Sequence, residues 1–307
     1  MARELLVELA KCKISVVTDL VHALDGDRSA SPYDWAATVH QELGQNDGNA
    51  KGLTALASYY LSHLVIAFRN PGGKRTPQES IHPTPNPKHI EEITSLLESA
   101  TICQSQSALR DLIFLRDGSH CPVSNYPFFG KDRVIRPRCA HIIPFSAHSK
   151  THTHHAIEVF TGQMVKAEFI QRFINHPSNA INIGLSAHES MEKTLAWGIE
   201  ARLVDHRWKY RFREVRPANV SATIPLKDGD EIEFGKGTGG DLIGLPDPQI
   251  CHLHLAVARV FAASGAAEVF DKYLEDDEDY MTQVPVYFGG PFVDDDELMR
   301  RIEALVT

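Results

Sequence analysis

The feature of this chain that most constrains its fold is an ordered set of polar residues in its second quarter and middle. The set comprises His141, in the run Ala-His-Ile-Ile-Pro, then Asn179, His188 nine residues after it, and Glu192 four residues further on. A neutral histidine can take a proton from water near physiological pH. A histidine and a carboxylate at i and i+4 share one helical face and can chelate an ion. The pattern predicts a site that combines a base with a metal ion.

A second informative run lies upstream, where residues 109–124 read Leu-Arg-Asp-Leu-Ile-Phe-Leu-Arg-Asp-Gly-Ser-His-Cys-Pro-Val-Ser. Together the two regions resemble the HNH endonucleases. They are most similar to the fungal group whose first motif reads Ala-His-Ile-x-Pro, and in which a helix leads through a turn into a Cys-x-Val-Thr/Ser hairpin. The resemblance covers roughly residues 105–205 well and the C-terminal helix weakly, and it leaves out the first hundred residues.

The resemblance implies an α+β protein with a ββα-metal (HNH-like) core, an N-terminal helical region and C-terminal strands and helices. It assigns His141 as the general base, Asn179 as the residue whose carbonyl orients the imidazole, and His188 as the histidine of the final helix. His188 and Glu192 would hold a divalent metal ion (Mg²⁺, Mn²⁺ or Zn²⁺). The catalytic residues expected are therefore His141, Asn179 and His188.

Three positions depart from the pattern of that family. Ala140 stands where many HNH enzymes have a metal-binding Asp or His, although Ala is common in the fungal group. Glu192 replaces the usual Asp, and Asn182 stands where an apolar residue is preferred. The Glu192 change bears most directly on whether the metal is retained.

Composition shifts divide the chain into three parts. Residues 1–87 form a helical region that ends in a Pro-rich linker, residues 88–216 form the HNH-like domain, and residues 217–307 form a C-terminal α/β extension that packs on it. The apolar spacing in the first part is helical, and the prolines and glycines from position 71 to 87 favour a linker.

Local patterns predict the elements around the site. Residues 134–136 and 140–143 are expected to form a hairpin, 179–185 a short loop, and His188 the start of a helix. A helix is expected over 164–174, and strands over 197–201, 208–212, 222–225 and 231–234. A helix from position 248 to 265 and another from 266 to 274 complete the chain. The run with His148, His152, His154 and His155 is expected to be a polar loop, with adventitious binding of Zn²⁺, Cu²⁺ or Ni²⁺ as the alternative.

Net charge is −9, whereas nucleic-acid binding requires a local basic surface. Two basic runs flank the motif, at 110–150 and 202–216. Within the first run, Arg133, Arg136 and Arg138 are the expected substrate-binding residues. The alternative is that the basic runs are strand faces ion-paired within the protein or across a dimer.

Apolar runs are too short for a membrane span, and the first residues lack the features of a signal peptide. We therefore expect a cytoplasmic or nuclear protein. The five cysteines are scattered without a Cys-x-x-Cys pair, so disulfides and a four-cysteine zinc knuckle are not expected.

Three functions remain open. The first is a metal-dependent endonuclease that cleaves DNA with little sequence specificity. The second is an HNH-like scaffold reused as an enzyme on a small metabolite, with an enclosed apolar cleft lined by residues such as Trp197, Phe128, Phe129 and Phe145. The third is a non-catalytic module in which the N-terminal helices drive self-association, and a homodimer is possible in each case.

Overall fold

The computed structural model describes residues 59, 61–69, 90–130, 134–161, 163–263 and 267. The described chain mixes α-helices with small antiparallel sheets, as expected for an α+β protein. A π-helical turn, Leu61–Val65, precedes the helices, which are α1 (Ile66–Arg69), α2 (Ile90–Thr101), α3 (Gln106–Asp117), α4 (Thr151–Phe160), α5 (Ala167–Phe173), α6 (Leu185–Glu192) and α7 (Pro248–Ala263). The strands are β1 (Pro137–His141), β2 (Ala180–Gly184), β3 (Trp197–Val204), β4 (Arg207–Glu214) and β5 (Glu231–Ile232). The expected helices before position 59, the linker at 71–87, Arg133 and most of the helix at 266–274 lie outside the described residues.

The sheet next to the motif has two strands. β1 pairs antiparallel with β2, from Pro137 opposite Gly184 to His141 opposite Ala180. The predicted hairpin between 134–136 and 140–143 is wrong, because residues 134–136 are not in a strand. The residues of β2 are all buried, so their peptide groups need hydrogen-bond partners. β1 supplies those partners across a connection that contains α4 and α5.

α6 begins directly after β2, with Gly184 as the residue that precedes its first turn. The predicted loop over 179–185 is therefore a 3₁₀ turn (Pro177–Asn179) followed by β2, and the helix starts three residues before His188. Ala187 and Met191 bury one side of α6 in the same apolar cluster as Ile181 and Ile183. His188 and Glu192 remain partly exposed.

α3 and α6 pack on opposite faces of the two-stranded sheet. Successive side chains along a strand point to opposite faces. Ala180 lies in a cluster with Leu109 and Leu112 of α3, whereas its neighbour Ile181 lies in the cluster that contains Ala187 of α6. His141 shares its face with Ala180, so its side chain starts on the α3 side, while Ala140 is on the α6 side.

Arg116, at the end of α3, joins three segments of the chain. It is fully buried and pairs with Asp117 through Nε–Oδ1 (2.8 Å) and Nη2–Oδ2 (2.7 Å) bonds. Its remaining N–H groups donate to the carbonyls of Pro177, Ala180 and Gly244, at 2.7, 2.8 and 3.1 Å. The guanidinium thereby fixes the start of β2 against α3 and the loop before α7.

A second sheet has the order β3-β4-β5, with all neighbours antiparallel. The strands predicted at 197–201 and 208–212 are confirmed within β3 and β4. The predicted strand over 222–225 is wrong, and the strand at 231–234 is reduced to β5. α7 packs on β3, and Trp197 is buried with its Nε1 donating to Ser190 Oγ at 2.9 Å.

The histidine-rich run is helical, not a loop. It forms a 3₁₀ turn (Phe145–Ser149) and then α4, in which His154 is buried with Nε2 2.7 Å from the Ala147 carbonyl. The helix predicted over 164–174 starts later, at Ala167, whose N–H donates to the Glu158 carboxylate at 2.8 Å. The polar composition of this run favoured a loop, but the hydrogen bonds of the His154 and Glu158 side chains stabilise helical turns instead.

Within the residues described, no helix is long and apolar enough to cross a membrane. The cysteines at 103, 121, 139 and 251 are free thiols.

Candidate active site

His141 is the last residue of β1, and its side chain is partly buried. Its Nε2 lies 3.1 Å from Asn175 Oδ1, and its ring centroid lies 5.7 Å from that of Phe145. One edge of the imidazole is thus fixed by an amide and one side is bordered by an aromatic ring.

Asn175 is the site residue that the sequence did not indicate. It is fully buried between α5 and the 3₁₀ turn that leads into β2. Its Nδ2 donates to the Ala100 carbonyl at 2.8 Å, and its Oδ1 accepts from Gln106 Nε2 at 2.8 Å as well as contacting His141. A lone asparagine four residues before Asn179 carries no signal of its own in the sequence.

Asn179 is also fully buried, but it has a different role from the one predicted. Its Oδ1 accepts from the Ile143 N–H at 2.7 Å, and its Nδ2 donates to the carbonyls of Ile143 and Ile174 at 2.9 Å each. The side chain therefore ties the segment after β1 to the end of α5. The prediction that Asn179 orients the imidazole is wrong, because Asn175 makes that hydrogen bond.

His188 and Glu192 form a direct pair on α6. His188 Nε2 lies 2.9 Å from Glu192 Oε2, and the two side chains are 21% and 17% exposed. The pair is the i, i+4 arrangement expected from the sequence. Among the residues that the structure describes, no group of three or more His, Cys, Asp or Glu side chains is placed to hold a metal ion.

Burial is the main cause that lowers the pKa of His141 below its ordinary value of 6.5. The hydrogen bond to Asn175 and the charge of Glu192 oppose this effect, whereas His188 adds to it. The charges that act on the imidazole thus include those of the His188–Glu192 pair on α6. His141 is therefore neutral at pH 7 and able to accept a proton.

Of the three arginines expected to bind substrate, the structure describes two, and these two differ in exposure. Arg136 is exposed immediately before β1, and Arg138 is half-buried on the face of β1 against which α6 packs. Arg133 lies outside the described residues.

The second basic run forms an ordered row of cations on β4. Because alternate residues of a strand share a face, the row consists of Arg207, Lys209, Arg211 and Arg213. Arg213 pairs with Glu200 and Asp228, and Lys209 pairs with Glu231. Arg207 and Arg211 are exposed, and no ion pair to either is found within the described chain, although Arg211 lies opposite Glu200 and Glu231 in the sheet. Ion pairing thus accounts for half of the row.

Two of the aromatic residues expected to line an enclosed cleft belong to the core instead. Trp197 and Phe128 are 0% and 4% exposed and pack within the main apolar cluster. Of that set, Phe145 is the residue in contact range of His141.

No family model, curated protein or solved structure matches this chain.

Proposed function

We propose that this protein is a metal-dependent HNH-type endonuclease that hydrolyses phosphodiester bonds with low sequence specificity, with His141 as the general base. The observation that carries the proposal is the order of elements around the site. β1 ends at His141, β2 pairs with β1, and α6 follows β2 directly and bears the His188–Glu192 pair. On this proposal β1, β2 and α6 are the ββα-metal unit.

The His188–Glu192 pair has the chemistry and spacing of two metal ligands. Two ligand atoms at about 2.1 Å from an ion and roughly at right angles are about 3.0 Å apart. The observed separation of Nε2 and Oε2 is 2.9 Å, and both side chains are accessible. A divalent ion held there would supply positive charge beside the scissile phosphate and a bound water to protonate the leaving oxygen. Ala140 offers no third ligand, so the remaining coordination would be by water and phosphate.

His141 would act on the attacking water. Its neutral imidazole takes a proton from a water molecule as the water oxygen attacks phosphorus and the bond to the leaving oxygen breaks. A lowered pKa keeps the base unprotonated at pH 7, and Asn175 holds the ring in one orientation. General bases of this kind contribute about 10²–10⁴-fold to the rate.

Exposed basic residues of the described chain support a polyanionic substrate such as DNA. Arg136 is exposed beside β1, and Arg207 and Arg211, which form no ion pair within the described chain, lie in a regular row on β4. Such contacts to phosphates give affinity without reading bases. This is the basis for proposing low sequence specificity.

A second candidate is an enzyme of the same scaffold that acts on a small anionic metabolite. It is favoured by the ion pairs that Glu200 makes with Arg202 and Arg213, because they neutralise part of the basic surface. Phe145 beside His141 would then form one wall of a substrate pocket.

Plasmid nicking tests the proposal. Wild-type protein supplied with Mg²⁺, Mn²⁺ or Zn²⁺ is expected to convert supercoiled DNA to the nicked form, and His141→Ala is expected to lose at least about 10²-fold in rate. The melting temperature of His141→Ala should stay close to wild type, because the side chain is only partly buried. A wild-type protein that is inactive with each ion, or a fully active His141→Ala, would overturn the proposal. In the first case, turnover of small phosphoesters would favour the second candidate.

A further inference from the structure

We propose that the α2–α3 helical pair, acting through Asn175, holds His141 in the tautomer with the proton on Nε2. This tautomer leaves Nδ1 as the basic nitrogen. Asn175 is thus a positioning residue. Its role in catalysis rests on the proposed function, but the tautomer is a property of the folded chain and can be measured without a substrate.

The orientation of the Asn175 amide follows from its partner in α2. The Ala100 carbonyl can only accept a hydrogen bond, and it lies 2.8 Å from Asn175 Nδ2. Rotating the amide by 180° would set two oxygens against each other in a fully buried position. Asn175 therefore presents Oδ1 to the other side.

The tautomer of His141 follows from that orientation. Oδ1 has no proton, so the 3.1 Å contact requires that His141 Nε2 donates. A neutral imidazole carries one proton, so the lone pair must be on Nδ1. Gln106 Nε2 donates to the same Oδ1 at 2.8 Å and occupies its second acceptor site. The amide is thus held by two donors and one acceptor.

The end of α2 and the start of α3 supply the polar groups that hydrogen-bond to Asn175. Ala100 is in the last turn of α2, where carbonyls lack a partner within the helix. Gln106 is the first residue of α3, and Ser105 caps that helix by accepting from Ala108 N–H. The end of α2 and the start of α3 both contact Asn175, which lies outside the β1-β2-α6 unit. Because Asn175 also binds His141, the orientation of that imidazole depends on where the two helices lie.

Nitrogen-15 NMR of the full chain at pH 8 tests the tautomer directly. Long-range imidazole spectra distinguish the protonated from the unprotonated nitrogen, and His141→Gln assigns the signals. We expect wild-type His141 to carry its proton on Nε2. Asn175→Leu should shift the tautomer ratio towards Nδ1–H by on the order of tenfold, the equivalent of one hydrogen bond.

Matched variants separate positioning from folding. Asn182→Leu replaces another fully buried asparagine, on β2, that makes no hydrogen bond to His141 within the described chain, so it should leave the tautomer unchanged. Should Asn175→Leu fail to fold, Asn175→Ala removes the same acceptor with a smaller side chain and gives the same test. A wild-type His141 with its proton on Nδ1, or a folded Asn175→Leu with the wild-type tautomer, would overturn the proposal.

Nicking assays extend the test to catalysis. Asn175→Leu should lower kcat by about tenfold with KM unchanged. An inactive wild type with the expected tautomer would reject the proposed function and leave the positioning role standing. An active wild type whose tautomer and kcat are both insensitive to Asn175→Leu would reject the positioning role alone.

Discussion

Replacing Arg116 by methionine should be among the most destabilising single changes in the chain. Arg116 and Asp117 form a fully buried pair, and all five N–H groups of the guanidinium are used. Arg116→Met keeps a chain of similar length but leaves the Asp117 carboxylate buried, with the Gly235 N–H at 3.2 Å as its other hydrogen bond. Three carbonyls lose a donor at the same time.

Breaking a buried ion pair from one side costs about 3–5 kcal/mol. A protein of ordinary stability has about 5–15 kcal/mol in total, so Arg116→Met should remove a large part of it. At about 2–4 °C per kcal/mol the melting temperature should fall by about 6–20 °C.

Urea unfolding followed by circular dichroism measures the loss. Lys193→Met is the matched control, because it removes a cation from the exposed pair with Glu189, whose side chains are 61% and 45% exposed. That change should cost less than about 1 kcal/mol. Equal losses for Arg116→Met and Lys193→Met would show that the buried hydrogen bonds of Arg116 contribute little net stability.

Three further predictions follow from other parts of the structure. Gly237→Ala should lower the melting temperature more than Gly244→Ala does. A Cβ at 237 would lie 2.2 Å from the Leu115 carbonyl oxygen, whereas a Cβ at 244 would lie 3.2 Å from a side-chain hydroxyl. Thermal melts of the two variants measure the difference. Burial lowers the pKa of His254 and of His176 to about 4, so the unfolded chain binds more protons than the folded one between pH 6.5 and 4. The free energy of unfolding should therefore fall by about 2 kcal/mol for His254 alone as the pH is lowered from 7 to 5. His254→Gln should flatten that pH dependence in urea titrations, and an unchanged slope would place the proton uptake elsewhere. The double variant Arg207→Gln with Arg211→Gln should reduce the slope of the logarithm of the DNA-binding constant against the logarithm of salt concentration by about 1.8. The control is Lys193→Gln with Lys236→Gln, which removes the same charge from ion pairs elsewhere and should leave the slope unchanged.

Elements with a clear period could be predicted from the sequence. β4 alternates between core and surface, as at Tyr210 and Phe212 against Lys209 and Arg211, and α7 and the helices around residue 109 carry helical apolar spacing. The i, i+4 placement of His188 and Glu192 also followed directly from their numbers, because the helix geometry fixes it.

The partner of β1 and the role of Asn175 could not be predicted in this way. β2 is buried on both faces, so it lacks the alternation that identifies a strand, and its partner is separated from it by α4 and α5. Asn175 acquires its role from the ends of α2 and α3, which are distant in the sequence. A buried asparagine has no pattern until those helices meet it.

Metal binding at His188 and Glu192 is the property on which the proposed nuclease depends most directly. Titration calorimetry with Mn²⁺ on wild type, Glu192→Gln and Glu192→Asp measures it without a substrate. We predict that the wild type binds an ion and that Glu192→Gln weakens binding by at least about tenfold, since even residues that only support metal ligands contribute that much. Glu192→Asp should keep or raise the affinity, and the three melting temperatures should stay similar. A wild type that binds no ion, or a Glu192→Gln variant that binds as tightly, would contradict the proposed metal site and favour a different use of this fold.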